Sequence, residues 1–379
     1  MSLQLTDVQK SMVATVRDFA AKECGTREKR LELTNGGTTH HNPEIARKLA
    51  DLGFLGLSIP EEYGGAGGSL FEACLFVEEL AYNQIPVGSF GVTLIVSHMY
   101  LNFASEELKK EILGGVVAGG ATAVAMSEPG SGSDVASLRC KAEKVDGGYR
   151  INGQKMWISN AHHSDHILLV CRTSDTGGKH QGISMLSVPT SAPGIEIRPI
   201  PTMGLEVNEV FFTDCEIGAE RLVGVEDQGW LQLIAGLNTE RVIVGALALG
   251  QARRAFDDTL NYVKTRQQFG RPVGTFQALS HRLADLATDI ECTRLLVHDV
   301  AQRVDENPGT LMPQEASMVK LKATELAKHA ALEGVQMMGG MGYAVEGGME
   351  EQLRATVVGT VVGGSSEIQR DIIAKTLGL

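Results

Sequence analysis

The chain lacks most of the signatures that betray a function at a glance. Its six cysteines, Cys24, Cys74, Cys140, Cys171, Cys215 and Cys292, form no Cys-x-x-Cys pair and no close metal-ligand spacing. That speaks against a disulfide framework or a zinc finger and reads as reduced, mostly buried thiols in a reducing compartment. Basic residues are few: 34 Lys plus Arg face 46 Asp plus Glu, a net charge of -12 with a pI near 5.4. Such a balance disfavours nucleic acid and anionic membrane surfaces as partners. The opening "MSLQLTDVQKSMVATVRDF" has no basic segment followed by an apolar run, and no window reaches about 18 consecutive apolar residues, so neither secretion nor a membrane span is expected. Gly-x-Ser-x-Gly elbows, P-loops and His-Glu-x-x-His motifs are missing. No internal repeat or low-complexity linker interrupts the chain.

Glycine, by contrast, is plentiful. The 44 glycines cluster in "EEYGGAGGS", "EPGSGSD" and "MMGGMGY", where a backbone must turn sharply or approach a ligand closely. At 379 residues the chain is long enough for two or three packed units. Apolar residues recur at helical spacing in "VQKSMVATVRDFAAKE", "PEIARKLADLGFLGL", "FEACLFVEELAYNQ" and "SEELKKEIL", giving an N-terminal helical domain over residues 1–120. Short β-rich runs such as "YRINGQKMWIS", "HILLVCRT" and "EVFFTDCEI" then alternate with Gly, Pro, Asn and Asp turns, a middle β-domain over 121–226. Long helical periodicity returns over 227–379 and implies a C-terminal helical bundle. The expected class is mainly α with a central β-domain.

A ligand in such an order would sit between β-domain and bundle, and four stretches suit its lining. "AMSEPGSGSD" offers hydroxyls at Ser127, Ser131 and Ser133 and open backbone N–H groups, although it could be a plain surface turn. "KMWISN" places Trp157 beside Ser159, which suits either a core or a flat heteroaromatic ligand. "TRQQFG" presents Arg266 at a helix end, fitted to a pyrophosphate or simply to the helix dipole. "VQMMGGMGY" ends another helix in a Gly-Gly turn, a ligand contact or a C-cap.

"MSEPGSGSD", "NGQKMWISN", "RQQFG", "QMMGGMGY" and "SSEIQR", in this order and at these separations, resemble the acyl-CoA dehydrogenase flavoprotein family. The resemblance runs from about Leu5 to Leu379 and includes "GFLGLSIPEEYGGAGG". It implies a middle β-barrel-like domain, a C-terminal four-helix bundle, and FAD held between them and across a dimer interface in a homotetramer built as a dimer of dimers. Carried over by position, Ser127 and Ser133 contact flavin or substrate, Trp157 packs beside the isoalloxazine and Ser159 hydrogen-bonds near its N5. Arg266, Phe269 and Gln277 meet the adenine-diphosphate part from the neighbouring subunit. Gln336 and Gly340 approach from the other side, with Ser365 and Glu367 near the adenosine end. The implied reaction is α,β-dehydrogenation of an acyl-CoA in fatty-acid metabolism, with electrons passed to an electron-transfer flavoprotein in the cytoplasm or an organellar matrix.

That chemistry needs a carboxylate base opposite the flavin. In many members of the family a glutamate stands just before the glycine of the C-terminal loop. Aligned on Ile368-Gln369-Arg370, that position here is Gly363. Three readings follow. The base is Glu240 in "LNTERVIVGALALGQA", as in the isovaleryl- and long-chain-type minority of the family; Ile243, Val244 and Leu247 share its helical face and make it a carboxylate pointed at an apolar wall. Alternatively the base is Glu367, whose other roles are an FAD contact or a surface pair with Arg370. Or there is no base, and the chain is a silent FAD-binding subunit of a hetero-oligomer. The resemblance puts Arg241 near the entrance to the substrate site, with Ser133 and Gly363 beside the substrate. Gly363 would leave a side-chain-sized space into which Glu240 reaches, and Gly245, Ala246 and Ala248 leave close packing or extra room along one wall. An acyl-CoA oxidase or an acyl-carrier-protein dehydrogenase remains open. "HHSDH", with His162, His163 and His166, has zinc-binding donors, yet the chemistry needs no metal and none is expected; His40 and His41 read as solvated loop residues.

Overall fold

The structure is a computed structural model that describes residues 4–175 and 177–379. Two compact units emerge, and they cut across the order of the chain. One comprises residues 34–68 and 86–239, the other residues 1–33, 69–85 and 240–379.

The first unit is built on a mixed eight-stranded sheet. Its strands run in the order Ile195–Ile200, Val207–Gly218, Gly148–Ser159, Lys141–Val145, His166–Arg172, Ile183–Pro189 and Leu222–Val223, with Thr122–Ala125 pairing in parallel with His166–Arg172. The central strands are apolar on both faces, and strand alternation sends their side chains into two different cores. Leu168, Val170, Ile183 and Met185 meet Val96, Met99, Tyr100 and Leu113 from the helices Phe90–Phe103 and Glu106–Val117. Ile167, Leu169, Cys171, Leu186 and Val188 form the opposite core with Tyr149, Ile151, Val210 and Phe212. The Tyr100 hydroxyl, wholly buried, donates to Ser187 Oγ at 2.8 Å, so this large side chain enters the core without an orphaned polar atom.

The second unit is helical. Asp7–Cys24, Arg27–Leu33 and Leu70–Tyr82 join the later helices Gln277–Glu306, Pro313–Met338, Met349–Val357 and Ser366–Thr376, and the part of Gly229–Thr265 that begins at Glu240. Capping boxes at Thr6/Gln9 and Ser69/Glu72 set where the two helices that follow them start. The Asp305 carboxylate accepts the Leu70 and Phe71 N–H groups at 2.9 Å each, placing a negative charge at that helix's positive end. Two adjacent buried carboxylates, Glu78 and Glu79, would be costly alone. Glu78 pairs with Arg253 and His298, and Glu79 with Arg17 in a two-pronged bond at 2.7 Å.

Gly229–Thr265 is long and apolar enough to cross a membrane by length and composition, but 67% of its most apolar window is buried in the fold, as expected of a core helix. Five cysteines are buried and Cys292 is exposed; all six are free thiols.

Candidate active site

Glu240 stands on the helix Gly229–Thr265 with Val242 and Ile243 buried beside it and Val244 and Leu247 half-buried. Its side chain is 9% exposed, and among the described residues its carboxylate has no hydrogen bond and no ion pair within 4 Å. It points at Gly363. A β-carbon placed on Gly363 would lie 3.3 Å from Glu240 Oε1 and 3.9 Å from Lys320 Cε. A helix and a turn more than a hundred residues apart in the chain thus bring a carboxylate to the spot where a side chain at position 363 would begin. Gly363 and Gly364 both have left-handed backbones, φ 63° and 79°, which glycine adopts without steric penalty. The turn is clamped by Gln369 Nε2, which donates to the Gly363 and Gly364 carbonyls at 3.0 Å each, and by Lys320 Nζ, which donates to Gly364 O at 2.7 Å.

Burial raises the Glu240 carboxyl above the usual carboxylate range, and the positive charges of Arg241 and Lys320 pull it partly back. The same burial pushes Lys320 down to about 8. Arg241 is buried next to Glu240, with its guanidinium lowered by desolvation. The small residues along this helix serve packing. Ala246 and Ala248 are buried, and a β-carbon on Gly245 would overlap Val319 Cγ1 of the helix Pro313–Met338, so the two helices touch where room was one option.

Glu367, the second candidate base, is fully exposed in the first turn of Ser366–Thr376; its own backbone N–H and the Ser365 hydroxyl hold it below the usual range. It does not pair with Arg370, which reaches Glu325 at 2.8 Å. Ser365 caps that helix, its hydroxyl accepting the Ile368 N–H.

On the sheet unit, "MSEPGSGSD" and "KMWISN" are fastened together by groups that sequence reasoning passed over. Lys155 is completely buried and donates to Glu128 Oε1 and to the Met126 carbonyl, both at 2.8 Å. Glu128 also accepts the Arg139 and Cys140 N–H groups at 2.7 and 2.9 Å, and Met156 N–H donates to Ser127 O at 2.9 Å. Register shifts between Lys155 and Ile158, and Trp157 takes φ 64°, a backbone rare for a bulky residue. The bulge turns the indole outward, where it is 53% exposed, with Ser127 and Ser159 half-buried and Ser133 exposed. Strain of this kind persists where the surrounding structure holds it, and it marks functional surfaces more often than structural ones.

In the helical unit Arg266 follows the end of Gly229–Thr265 and leads into a hairpin, Gln267–Gln268 paired with Arg271–Pro272. Phe269 and Gly270 form its tip with φ 51° and 78°, a pair of left-handed residues typical of a tight hairpin turn. Phe269 is 93% exposed there, and Arg266 and Gln277 are exposed as well. Gln336 and Gly340 are exposed at the end of Pro313–Met338, where Gly339 breaks the helix.

The histidine-rich stretch divides. His162 and His163 turn to Glu206 Oε1 at 3.3 and 3.7 Å, while His166 lies 3.5 Å from Glu111, so the three do not converge. His40 and His41 are not solvated loop residues. The His40 N–H donates to Glu206 at 2.5 Å, and His41, half-buried against Ser89 Oγ at 2.8 Å, is pushed down to about 4 by burial. Glu206 gathers these groups because a partly buried carboxylate needs them; burial opposes its ionisation, yet the nearby His163 imidazole and hydrogen bonds from the His40 N–H and His162 hold it down to about 2.

Comparison with known proteins agrees across the whole length. Sequence models of the acyl-CoA dehydrogenase N-terminal, middle and C-terminal domains match residues 6–120, 123–215 and 227–378. The chain belongs to the acyl-CoA dehydrogenase family. It is 35% identical to an acyl-CoA dehydrogenase of Bacillus subtilis over 99% of both chains, and 32% identical to a mitochondrial isovaleryl-CoA dehydrogenase of Solanum tuberosum over 99% of this chain and 92% of that one. A crystal structure of an acyl-CoA dehydrogenase from Geobacillus kaustophilus superposes with a TM-score of 0.94 at 32% identity, covering 100% of both chains. As a member of this acyl-CoA dehydrogenase family the chain is an FAD-dependent oxidoreductase. The residues present in each unit fit parts of that cofactor: in the sheet unit an outward-turned indole beside half-buried hydroxyls suits a flat heteroaromatic ring, and in the helical unit an exposed arginine, Arg266, suits a diphosphate.

Proposed function

We propose that this acyl-CoA dehydrogenase oxidises an acyl-CoA thioester to its trans-2-enoyl form, with Glu240 as the base that removes the α-proton. The observation that carries the reading is the 3.3 Å between Glu240 Oε1 and the place of a Gly363 β-carbon. Among the described residues Glu240 has no hydrogen bond to make it a structural carboxylate, which leaves its lone pairs for a proton. Burial makes the carboxylate more basic, which suits a weakly acidic α-proton, while Arg241 and Lys320 pull in the opposite direction and favour its ionised form. Bound FAD supplies the two-electron acceptor for the β-hydride. Trp157, Ser127 and Ser159 would hold the flavin ring, Ser133 and Arg241 would border the acyl thioester, and Gly363 would leave the carboxylate a clear approach to the α-carbon.

Other parts of the surface support an assembly. Phe269, 93% exposed on a hairpin tip with only the edge-on ring of Phe276 against it among the described residues, fits a homotetramer in which Arg266, Phe269 and Gln277 reach the neighbouring subunit's cofactor, with Gln336, Gly340, Ser365 and Glu367 completing that site. We place the enzyme in the cytoplasm, passing electrons to an electron-transfer flavoprotein.

The test is anaerobic flavin bleaching by butyryl-, octanoyl-, isovaleryl- and 2-methylbutyryl-CoA. At least one should bleach the wild type quickly and Glu240→Gln hardly at all, with FAD still bound. Wild-type rates in Glu240→Gln would sink the assignment. No bleaching of the wild type by any thioester would point to a silent subunit, and hydrogen peroxide formed in air without an added acceptor would point to an oxidase.

A further inference from the structure

Lys320 is completely buried on the helix Pro313–Met338, and the residues one turn away on its face, Ala316, Ala323 and Thr324, are buried too. Among the described residues its ammonium has one hydrogen bond, to the Gly364 carbonyl at 2.7 Å. Geometry alone does not require it there. Gln369 already donates to both carbonyls of the turn, and a neutral donor would complete the clamp without taking a charge out of water. What an ammonium adds is its charge, and the buried group it faces is Glu240: Lys320 Cε and Glu240 Oε1 both lie within 4 Å of one point beside Gly363.

We propose that Lys320 is a positioning residue for the dehydrogenation, gripping the Gly364 carbonyl to hold the Gly363–Gly364 turn clear of Glu240 and lending a positive charge that favours the ionised form of Glu240. The proposal rests on Glu240 being the base. It accounts for a cation buried, among the described residues, with a single backbone acceptor, where burial outweighs the pull of Glu240 and leaves Lys320 lowered to about 8. The charged groups around Lys320 are Glu240 and Arg241 from Gly229–Thr265, Glu325 on its own helix and Glu367 from Ser366–Thr376. Glu325 is taken by Arg370 at 2.8 Å and Glu367 is in solvent, which leaves Glu240 as the buried carboxylate that feels the charge. Arg241 acts on Glu240 in the same direction, so removing Lys320 weakens the field on the base without abolishing it.

The test uses the FAD-loaded enzyme and two readouts. Infrared difference spectra across a pH titration follow the carboxyl band that disappears in Glu240→Gln, and stopped-flow bleaching by the fastest thioester of the panel gives a pH profile. In Lys320→Met the Glu240 band should titrate at higher pH, and bleaching at about pH 6 should fall about tenfold relative to the wild type, with the two enzymes converging above about pH 8, where wild-type Lys320 has itself discharged. Lys320→Arg keeps the charge and should keep the wild-type titration. Gln369→Leu removes only the uncharged clamp and should slow bleaching evenly across pH. An unmoved Glu240 band in Lys320→Met, or an equal displacement in Gln369→Leu, overturns the proposal. Should Lys320→Met fail to fold, the wild-type Glu240 band must still shift between about pH 7 and about pH 9, and a flat response there overturns it as well. A displaced band with no bleaching by any thioester counts against the dehydrogenase reading and leaves the coupling of Lys320 to Glu240 intact.

Discussion

Two buried lysines in this protein sit near two buried glutamates and have opposite fates. Lys155 and Glu128, in the sheet unit, touch at 2.8 Å, and each has further partners: the Met126 carbonyl for the lysine, the Arg139 and Cys140 N–H groups for the glutamate. Lys320 and Glu240, in the helical unit, do not bond to each other. Among the described residues, the lysine is given to a backbone carbonyl and the glutamate to no hydrogen-bond partner. The first pair meets the rule that buried charge must be paired and hydrogen-bonded. The second breaks it among the described residues, and under the proposed function the unbonded carboxylate serves proton transfer rather than stability. Residue type and burial are alike in the two pairs; the count of hydrogen bonds is what differs.

The sharpest way to break the contrast is to remove the carboxylate of the second pair. Glu240→Gln should lower the rate of flavin bleaching by about 10²- to 10⁴-fold while leaving FAD binding unchanged by fluorescence titration. Removing one partner of the first pair should act on stability instead. Lys155→Met strands Glu128 and should cost about 3–5 kcal/mol, read as a fall in Tm and in retained FAD, since it unfastens the stretches that carry Ser127 and Trp157. If Lys155→Met left Tm unchanged, the pair would not be the strut described.

Gly363→Ala tests the space between the two chain segments at the proposed base. Its backbone is left-handed and its new β-carbon would crowd Glu240 Oε1, so about 1–2 kcal/mol of stability should be lost, with slower bleaching because the carboxylate must move. A β-carbon here that neither lowered Tm nor slowed bleaching would mean Glu240 points elsewhere in solution.

The smallest effect is the pH dependence of stability at the second pair. A carboxyl whose folded pKa stands above its unfolded value binds its proton more tightly when folded. Its contribution is therefore favourable at acid pH and is lost as pH rises from about 4.3 through the raised folded value. The Tm difference between Glu240→Gln and the wild type should grow in the variant's favour over that climb. Lys320 behaves oppositely in alkali: with a folded value of about 8 below the unfolded about 10.4, the cost of burying it is relieved as pH rises between the two. Equal Tm differences at all pH values would show that neither group is perturbed by burial.

Periodicity alone made the helix, sheet, helix order readable, because "HILLVCRT" and "PQEASMVKLKATELAKHAALEGVQMM" carry their repeat in the residues themselves. What it did not reveal is that Phe90–Phe103 and Glu106–Val117 cluster with the sheet whereas Leu70–Tyr82 clusters with the later helices. Helical spacing says that a face is apolar, not what covers it. Lys320, Lys155, Glu128 and Gln369 were likewise passed over in reading the motifs. Lys320 had left a trace, a lysine spaced one turn from Ala316 and Ala323 on an apolar helical face.

The amino-acid sequence by itself determined the family, the three-part order of elements, and the fact that position 363 carries no acid and that Glu240 lies on an apolar helical face. Those are properties of spacing and residue type, which survive in one dimension. Only the tertiary structure decided that Glu240 reaches Gly363, that a buried lysine stands at the same spot, and that the Lys155–Glu128 pair is saturated while Glu240 is left unbonded. Proximity, desolvation and hydrogen-bond count depend on side chains brought together from distant segments, and no local pattern encodes them.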